Sequence, residues 1–346
     1  MLLAGVVGTV FALLFLVGTL RVTELPPDGG GRGYVRTFSP PTSPFEVLLD
    51  AGDGQAYATL ALDPTLSHPE AFELGAPHAG YFARRPVVIY VLWAVSLGRR
   101  ELQPAAFIGL SALFAGCFLA VCTRWLQVRY PQGDDRFALG LLLLPTVQTA
   151  LFFSTDLIGQ AFGMLGYLLW HDRRRFGWAT ACFVAAALTR ETTMLYAAAA
   201  AVSTVWAERR ASKHLGLLAL VPGGYVAWDL VVRSRLGPPG GAHNFGPPLE
   251  GIIDAAPAWT DVDRAIAALG AVLVVLALVR CRQDDATWIA FAYVAAGLVL
   301  AAPVWGSWPN FSRVLLPAYV LPLLSLAGTR FGRRPPAETV GAPAPA

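Results

Sequence analysis

Two carboxylates stand three residues apart in Asp50-Ala-Gly-Asp53-Gly-Gln-Ala-Tyr57. A carboxylate beside a membrane surface can take the proton of a hydroxyl as its oxygen attacks carbon. A second acid nearby raises the pKa of the first towards the working range. Asp is also a common helix cap, and on residue type alone that reading of Asp50 and Asp53 is the stronger. Four arginines supply complementary charge. Arg84 and Arg85, before Pro86, can grip a phosphate in fork geometry or snorkel to lipid headgroups. Arg190 and Glu191 are adjacent in Ala187-Leu-Thr-Arg-Glu191, so on a helix they point apart and need separate partners. Asp156, in Ser154-Thr-Asp156, is a candidate partner for Arg190. Arg313 opens the last apolar run and can also hold phosphate. Ionisable groups at membrane depth are costly and are usually paired or functional.

Other residues carry weaker signals. Trp305 and Trp308 suit an interfacial aromatic belt better than sugar stacking. Asp229 lies four residues before Arg233, which a local helix pair explains. His243 and Asn244 fall in a Gly/Pro-rich loop, where solvent exposure is the simpler reading. No CxxC or HxxxH pair suggests a metal site, and the sequence names no cofactor while leaving a divalent metal open. The cysteines, Cys117, Cys122, Cys182 and Cys281, avoid the long polar loops, so no disulfide framework is implied.

The elements that must hold these groups are apolar. Of 346 residues, 55% are hydrophobic and 14% charged, against about 25% charged in soluble domains. Long apolar runs recur throughout, which implies an integral protein of the cell membrane in contact with membrane lipids. The net charge is +3 and Lys213 is the single lysine. No basic face for nucleic acid is present. Eleven apolar runs are candidate membrane segments: 2–20, 86–98, 104–123, 137–153, 156–170, 176–188, 192–206, 215–232, 264–280, 286–304 and 313–327. The first has no basic leader and reads as an uncleaved helix. Several are shorter than the roughly 20 residues of a straight crossing, which suits helices lining a cavity.

The basic turns 124–136, 171–175, 207–214 and 280–285 and the tail from Arg330 mark the cytoplasmic side. If 86–98 is a half-span, both termini are cytoplasmic and loop 21–85 faces outward with the acids. Within that loop, Ser43 to Leu62 reads as an interfacial helix interrupted near Asp53 by Gly52 and Gly54. The expected architecture is thus an all-α transmembrane bundle of about 10–11 segments over residues 1–330. A Pro/Ala-rich tail, 331–346, is expected to be disordered. No internal repeat is evident.

The chain resembles the GT-C superfamily of polytopic glycosyltransferases, which use polyprenyl-phosphate-linked sugars. The resemblance rests on Asp50-x-x-Asp53-Gly-Gln-x-Tyr57 after the first span, Gly80-Tyr-Phe-x-Arg84-Arg85-Pro86, the Ala187 to Glu191 element, and Arg313-x-x-x-Pro317. It covers roughly residues 1–330 as a pattern of spans and loops. It implies Asp53 as catalytic base, with Asp50 as alternate, and donor phosphate near Arg190 and Arg313. It implies inverting transfer to a glycan or lipid acceptor of the envelope. Arg84 and Arg85 are further phosphate candidates, with Tyr57, Asp156 and Glu191 in support. The chain departs from the superfamily in being short, in lacking a soluble C-terminal domain, and in having Asp-Gly-Gln at the acid motif. The competing readings are a lipid or solute transporter, which should show pseudo-symmetric halves, and a structural subunit of an envelope complex.

Overall fold

The computed structural model describes residues 1–22, 53–68, 76–131, 134–151, 155–208, 214–238, 245–282 and 284–331. Asp50, Ser154, His243, Asn244, the first part of loop 21–85 and most of the tail lie outside them. The described residues are helical, and their one β-type pairing is an isolated antiparallel bridge between Phe245 and Leu300.

The helices are α1 (Leu2–Val22), α2 (Gly54–Leu60), α3 (Ala76–Ala83), α4 (Pro86–Ser96), α5 (Gln103–Arg129), α6 (Phe137–Gly140) and α7 (Pro145–Leu151). Then come α8 (Thr155–His171), α9 (Phe176–Thr189), α10 (Met194–Glu208), α11 (Leu215–Leu218) and α12 (Leu220–Leu236). The last are α13 (Glu250–Ala255), α14 (Asp261–Arg280), α15 (Asp285–Gly297), α16 (Ala302–Trp305), α17 (Trp308–Val314) and α18 (Leu316–Phe331).

Among the described residues, three helical stretches are long and apolar enough to cross a membrane: Arg100–Arg129, Leu215–Leu236 and Asp261–Arg280. A fourth is reached if α17 and α18, bent by 60° at Leu315, count as one broken span. Their apolar faces are unsuited to water. Leu220, Val226 and Leu230 on α12 and Val272, Val275 and Val279 on α14 are all more than half exposed. Side chains of that kind in unbroken rows match a hydrocarbon surrounding. These features support a membrane protein.

The remaining runs are shorter than the sequence suggests, for local reasons. The run 137–153 is cut because Leu144, ahead of Pro145, is extended (φ −70°, ψ 127°), as residues before proline are. The run 286–304 ends its helix at Gly297. The last run is divided at Leu315, so Arg313 closes α17 instead of opening the final span. Helix α4 has 11 residues and ends on left-handed Leu97 (φ 54°). At 1.5 Å per residue it is about 16 Å long, roughly half a hydrocarbon core. That length suits the half-span expected for 86–98.

Small residues let the bundle close. Helix α1 packs along α5 through Gly5, Gly8 and Gly116, where a Cβ on Gly116 would collide with Thr9 Oγ1 and the Gly5 carbonyl oxygen. Close backbone approach through glycine is how helices associate where lipid offers no hydrophobic drive. Helices α8 and α9 form the next large contact, and α14 and α15 pack on α18. Trp125, Trp170, Phe118 and Phe183 fill the centre.

Candidate functional site

Five separated segments bring charged residues to one end of this bundle. The first is the start of α2. Asp53 occupies its N-cap position, yet its side chain makes no capping hydrogen bond. The carboxylate turns away and accepts from Arg313 instead, Nη1 to Oδ2 2.8 Å, across 260 residues of chain. The capping role expected from residue type is therefore not the one that Asp53 fills.

Arg313 owes its place to the short helices around it. Asp263 forms a capping box with Thr260 at the start of α14. Its other oxygen accepts the backbone N–H of Trp308 at 2.6 Å, which fixes the start of α17. The rings of Trp305 and Phe311 pack at a tilt, centroids 5.2 Å apart, with Trp259 against both. Trp305 is buried and donates to the Gly297 carbonyl. The sequence expectation of an interfacial belt is therefore corrected for Trp305. Trp305 is a packing residue of the α16–α17 corner, drawn inward by its aromatic neighbours and by the Gly297 carbonyl that satisfies its indole N–H, while half-buried Trp308 anchors the corner through its backbone N–H.

The break between α9 and α10 supplies the next pair. Arg190 ends α9 in extended conformation (φ −154°, ψ 115°), and Glu191 begins a single 3₁₀ turn. The adjacent charges point to different partners. Arg190 Nε lies 3.0 Å from Asp156 Oδ1, in the first turn of α8. Both residues are at most 3% exposed. The contact is a charge pair that is out of line for a hydrogen bond. Both Asp156 oxygens and Nε and Nη1 of Arg190 are buried without a well-formed hydrogen bond among the described residues. Gly159, one turn past Asp156, allows this approach, since a Cβ there would stand 3.2 Å from Arg190 Cβ. Arg313 Nη1 is also 3.9 Å from Asp156 Oδ2, so one arginine faces two acids.

Glu191 meets Arg85, which is 1% exposed. Arg85 Nε and Nη2 donate to the two Glu191 oxygens at 3.1 and 3.0 Å. Its Nη1 donates to the Tyr57 hydroxyl at 2.9 Å and its Nη2 to the Tyr81 hydroxyl at 3.0 Å. Four of the five guanidinium N–H groups are thus engaged, so Arg85 is a structural hub and not the open phosphate fork that the sequence suggests. Arg84 leaves the cluster and pairs with Asp229 on α12 at 2.7 Å. Asp229 also pairs with Arg233 at 2.6 Å, the local pair expected.

Electrostatics follow from this geometry. Burial by itself raises the Asp53 pKa, but Arg313 beside it, with Arg85 and Arg190 beyond, outweighs burial and holds the carboxyl below its ordinary range. Burial also opposes ionisation of Glu191, and Arg85 with Arg190 overcomes it, so Glu191 is firmly anionic. Burial pushes the Tyr57 phenol up to about 12, which keeps it neutral against Arg85. Within the cluster the charges of Arg85, Arg190 and Arg313 balance those of Asp53, Asp156 and Glu191.

The cluster borders a cavity of about 120 Å³. Tyr81, Arg190, Glu191, Asn310 and Arg313 form its polar wall, and Phe245, Leu300, Pro303, Val304 and Val314 its apolar wall. Of the residues singled out in the sequence, Asp53, Tyr57, Arg85, Asp156, Arg190, Glu191 and Arg313 come together. Arg84 does not, and Asp50 lies outside the described residues. Sequence reasoning missed Asn310 and the site contact of Tyr81. Tyr81 stands one helical turn before Arg85, a spacing that signals contact; Asn310 carries no such signal. Among the described residues no three His, Cys, Asp or Glu side chains gather to hold a metal ion. Comparison of the chain with protein families, curated proteins and solved structures gives no match.

Proposed function

We propose that the protein is a multi-pass membrane glycosyltransferase of GT-C type that takes a polyprenyl-phosphate-linked sugar. The observation that carries this reading is the Asp53 carboxylate held at 2.8 Å by Arg313, an arginine that lines a cavity together with buried Arg190. In the proposed reaction Asp53 accepts the proton of an acceptor hydroxyl on a glycan or lipid. The freed oxygen attacks the anomeric carbon from the face opposite the phosphate. The carbon–oxygen bond to phosphate breaks, its electron pair leaves with polyprenyl phosphate, and the anomeric configuration inverts. Arg313 and Arg190 stabilise the phosphate as its charge grows. The divided cavity wall supports the donor class, because guanidinium groups suit a phosphate while Phe245, Leu300 and Val304 suit the start of a prenyl chain. Broken and short helices around the cavity fit a scaffold of more membrane segments than its long helices alone supply.

The test is transfer from a panel of polyprenyl-phosphate hexoses by the protein reconstituted in liposomes. Asp53→Asn should lower the transfer that the wild type performs by roughly 10²- to 10⁴-fold. Undiminished transfer in both Asp53→Asn and Asp50→Asn would remove the proposed base. Absence of transfer from every donor, with phospholipid or solute flux instead, would favour a carrier.

A further inference from the structure

Asp53 poses a chemical difficulty as it stands. A base that is ion-paired to an arginine accepts a proton poorly, because protonation must break the pair. Arg313 is likewise engaged. The cluster as a whole is neutral, so an incoming phosphate finds no surplus positive charge unless one pair opens. The three pairs are unequal. Arg190 and Asp156 are almost fully enclosed, and Arg85 is tied down by Glu191 and two tyrosines. The Arg313–Asp53 pair is the most accessible from both sides, with side chains 12% and 19% exposed. Arg313 also has a second acid close by, Asp156 at 3.9 Å, so its charge stays partly compensated when Asp53 lets go.

We infer that Arg313 is an exchangeable latch on Asp53: a phosphate bound in the cavity takes over Arg313 and thereby frees Asp53 to act as base. The proposal rests on the reading of this cavity as a phosphate site. It adds an order of events. Phosphate-bearing donor binds first, the acceptor is deprotonated second, and an empty site holds an inactive base. Asp53 is then a competitor of the donor phosphate for Arg313, not a contributor to its binding.

Competition gives the test a sign. Farnesyl phosphate is titrated into the purified full-length protein in detergent micelles by calorimetry, with inorganic phosphate as a second arm. Asp53→Asn should tighten phosphate binding about tenfold, a gain of about 1.4 kcal/mol, while Arg313→Gln should weaken it. Unchanged or weaker binding in Asp53→Asn, beside a wild type that binds and an Arg313→Gln variant that does not, overturns the latch and leaves the phosphate site standing. No binding by the wild type, or full binding by Arg313→Gln, removes the phosphate site itself and the latch with it. Tightening seen with both ligands shows that Arg313 reads phosphate alone. Tightening seen only with farnesyl phosphate assigns part of the site to the apolar wall. Both patterns support the exchange. A measurement on the wild type avoids any folding defect of the variants. Labelling of Asp53 by dicyclohexylcarbodiimide, read by mass spectrometry, should rise when farnesyl phosphate is added, because only a released carboxyl becomes readily protonated. Constant or reduced labelling overturns the latch.

Discussion

Helix α8 carries a charged cluster at each end, and the two are built differently. At its start, Asp156 joins Arg190 and Arg313 in the buried network at the cavity. About 24 Å along the axis at 1.5 Å per residue, Asp172 and Asp285 face Arg129 at 3.7 and 3.4 Å. Arg129 there lies over the rings of Trp125 and Tyr167, with Ser203 hydrogen-bonded to His171 nearby. The second cluster is looser and more open, with Asp285 37% exposed, and it does not line the cavity. Charges alone therefore do not identify a site. Charges enclosed beside an amphipathic cavity make the better candidate, because enclosure strengthens their fields and a cavity gives them something to act on.

This contrast can be broken at several points. The largest effect is expected in transfer activity. Asp53→Asn should lower the rate by roughly 10²- to 10⁴-fold, the usual contribution of a general base, whereas Asp172→Asn at the other end should leave the rate unchanged. Equal losses in a donor-transfer assay would erase the distinction between the clusters.

Stability should separate them next. Arg190→Ala leaves the enclosed Asp156 without its nearest cation and should cost about 3–5 kcal/mol. Arg129→Ala removes a partly exposed pair and should cost about 1 kcal/mol or less beyond its lost packing. Unfolding in mixed micelles measures both, and similar losses would mean that the two ends are equally enclosed.

Acid should then weaken the cavity cluster selectively. The folded pKa values of Asp53 and Glu191 lie below their ordinary 3.8 and 4.5. A depressed acid contributes stability that is fully present above its unfolded pKa and is lost as pH falls through its folded one. The midpoint of unfolding should therefore hold steady from neutrality to about pH 5 and drop below about pH 4. In Asp53→Asn and Glu191→Gln that acid drop should shrink, and a drop of unchanged size would show that other acids cause it.

The smallest change is Gly159→Ala. Its added methyl meets Arg190 Cβ at 3.2 Å and should cost about 1 kcal/mol by overpacking. Farnesyl phosphate affinity should fall with it as Arg190 is displaced. An affinity equal to wild type would mean that Arg190 does not touch the phosphate.

Much of the site was legible from residue type. Acids and arginines in apolar surroundings are expensive enough to call for partners, and the adjacent pair Arg190–Glu191 required two different ones. Which partner each would find was not legible. Arg84 and Arg85 look equivalent in sequence, yet one is tied to Asp229 on α12 and the other is sealed between Glu191, Tyr57 and Tyr81. The difference comes from where α4 begins against its neighbours. Asp53 reads as a cap until Arg313 is brought within 2.8 Å of it.

The sequence by itself determined the helical character and the apolar composition suited to a membrane. Those are local properties, set by side-chain transfer energies and by backbone chemistry within a few residues. The tertiary structure alone decided that Arg313 lies between Asp53 and Asp156, that Trp305 faces inward, and that Asn310 and Tyr81 border the cavity. These facts depend on contacts between segments as many as 260 residues apart. Such contacts are selected by burial, which makes an unpaired charge costly wherever the chain happens to place it.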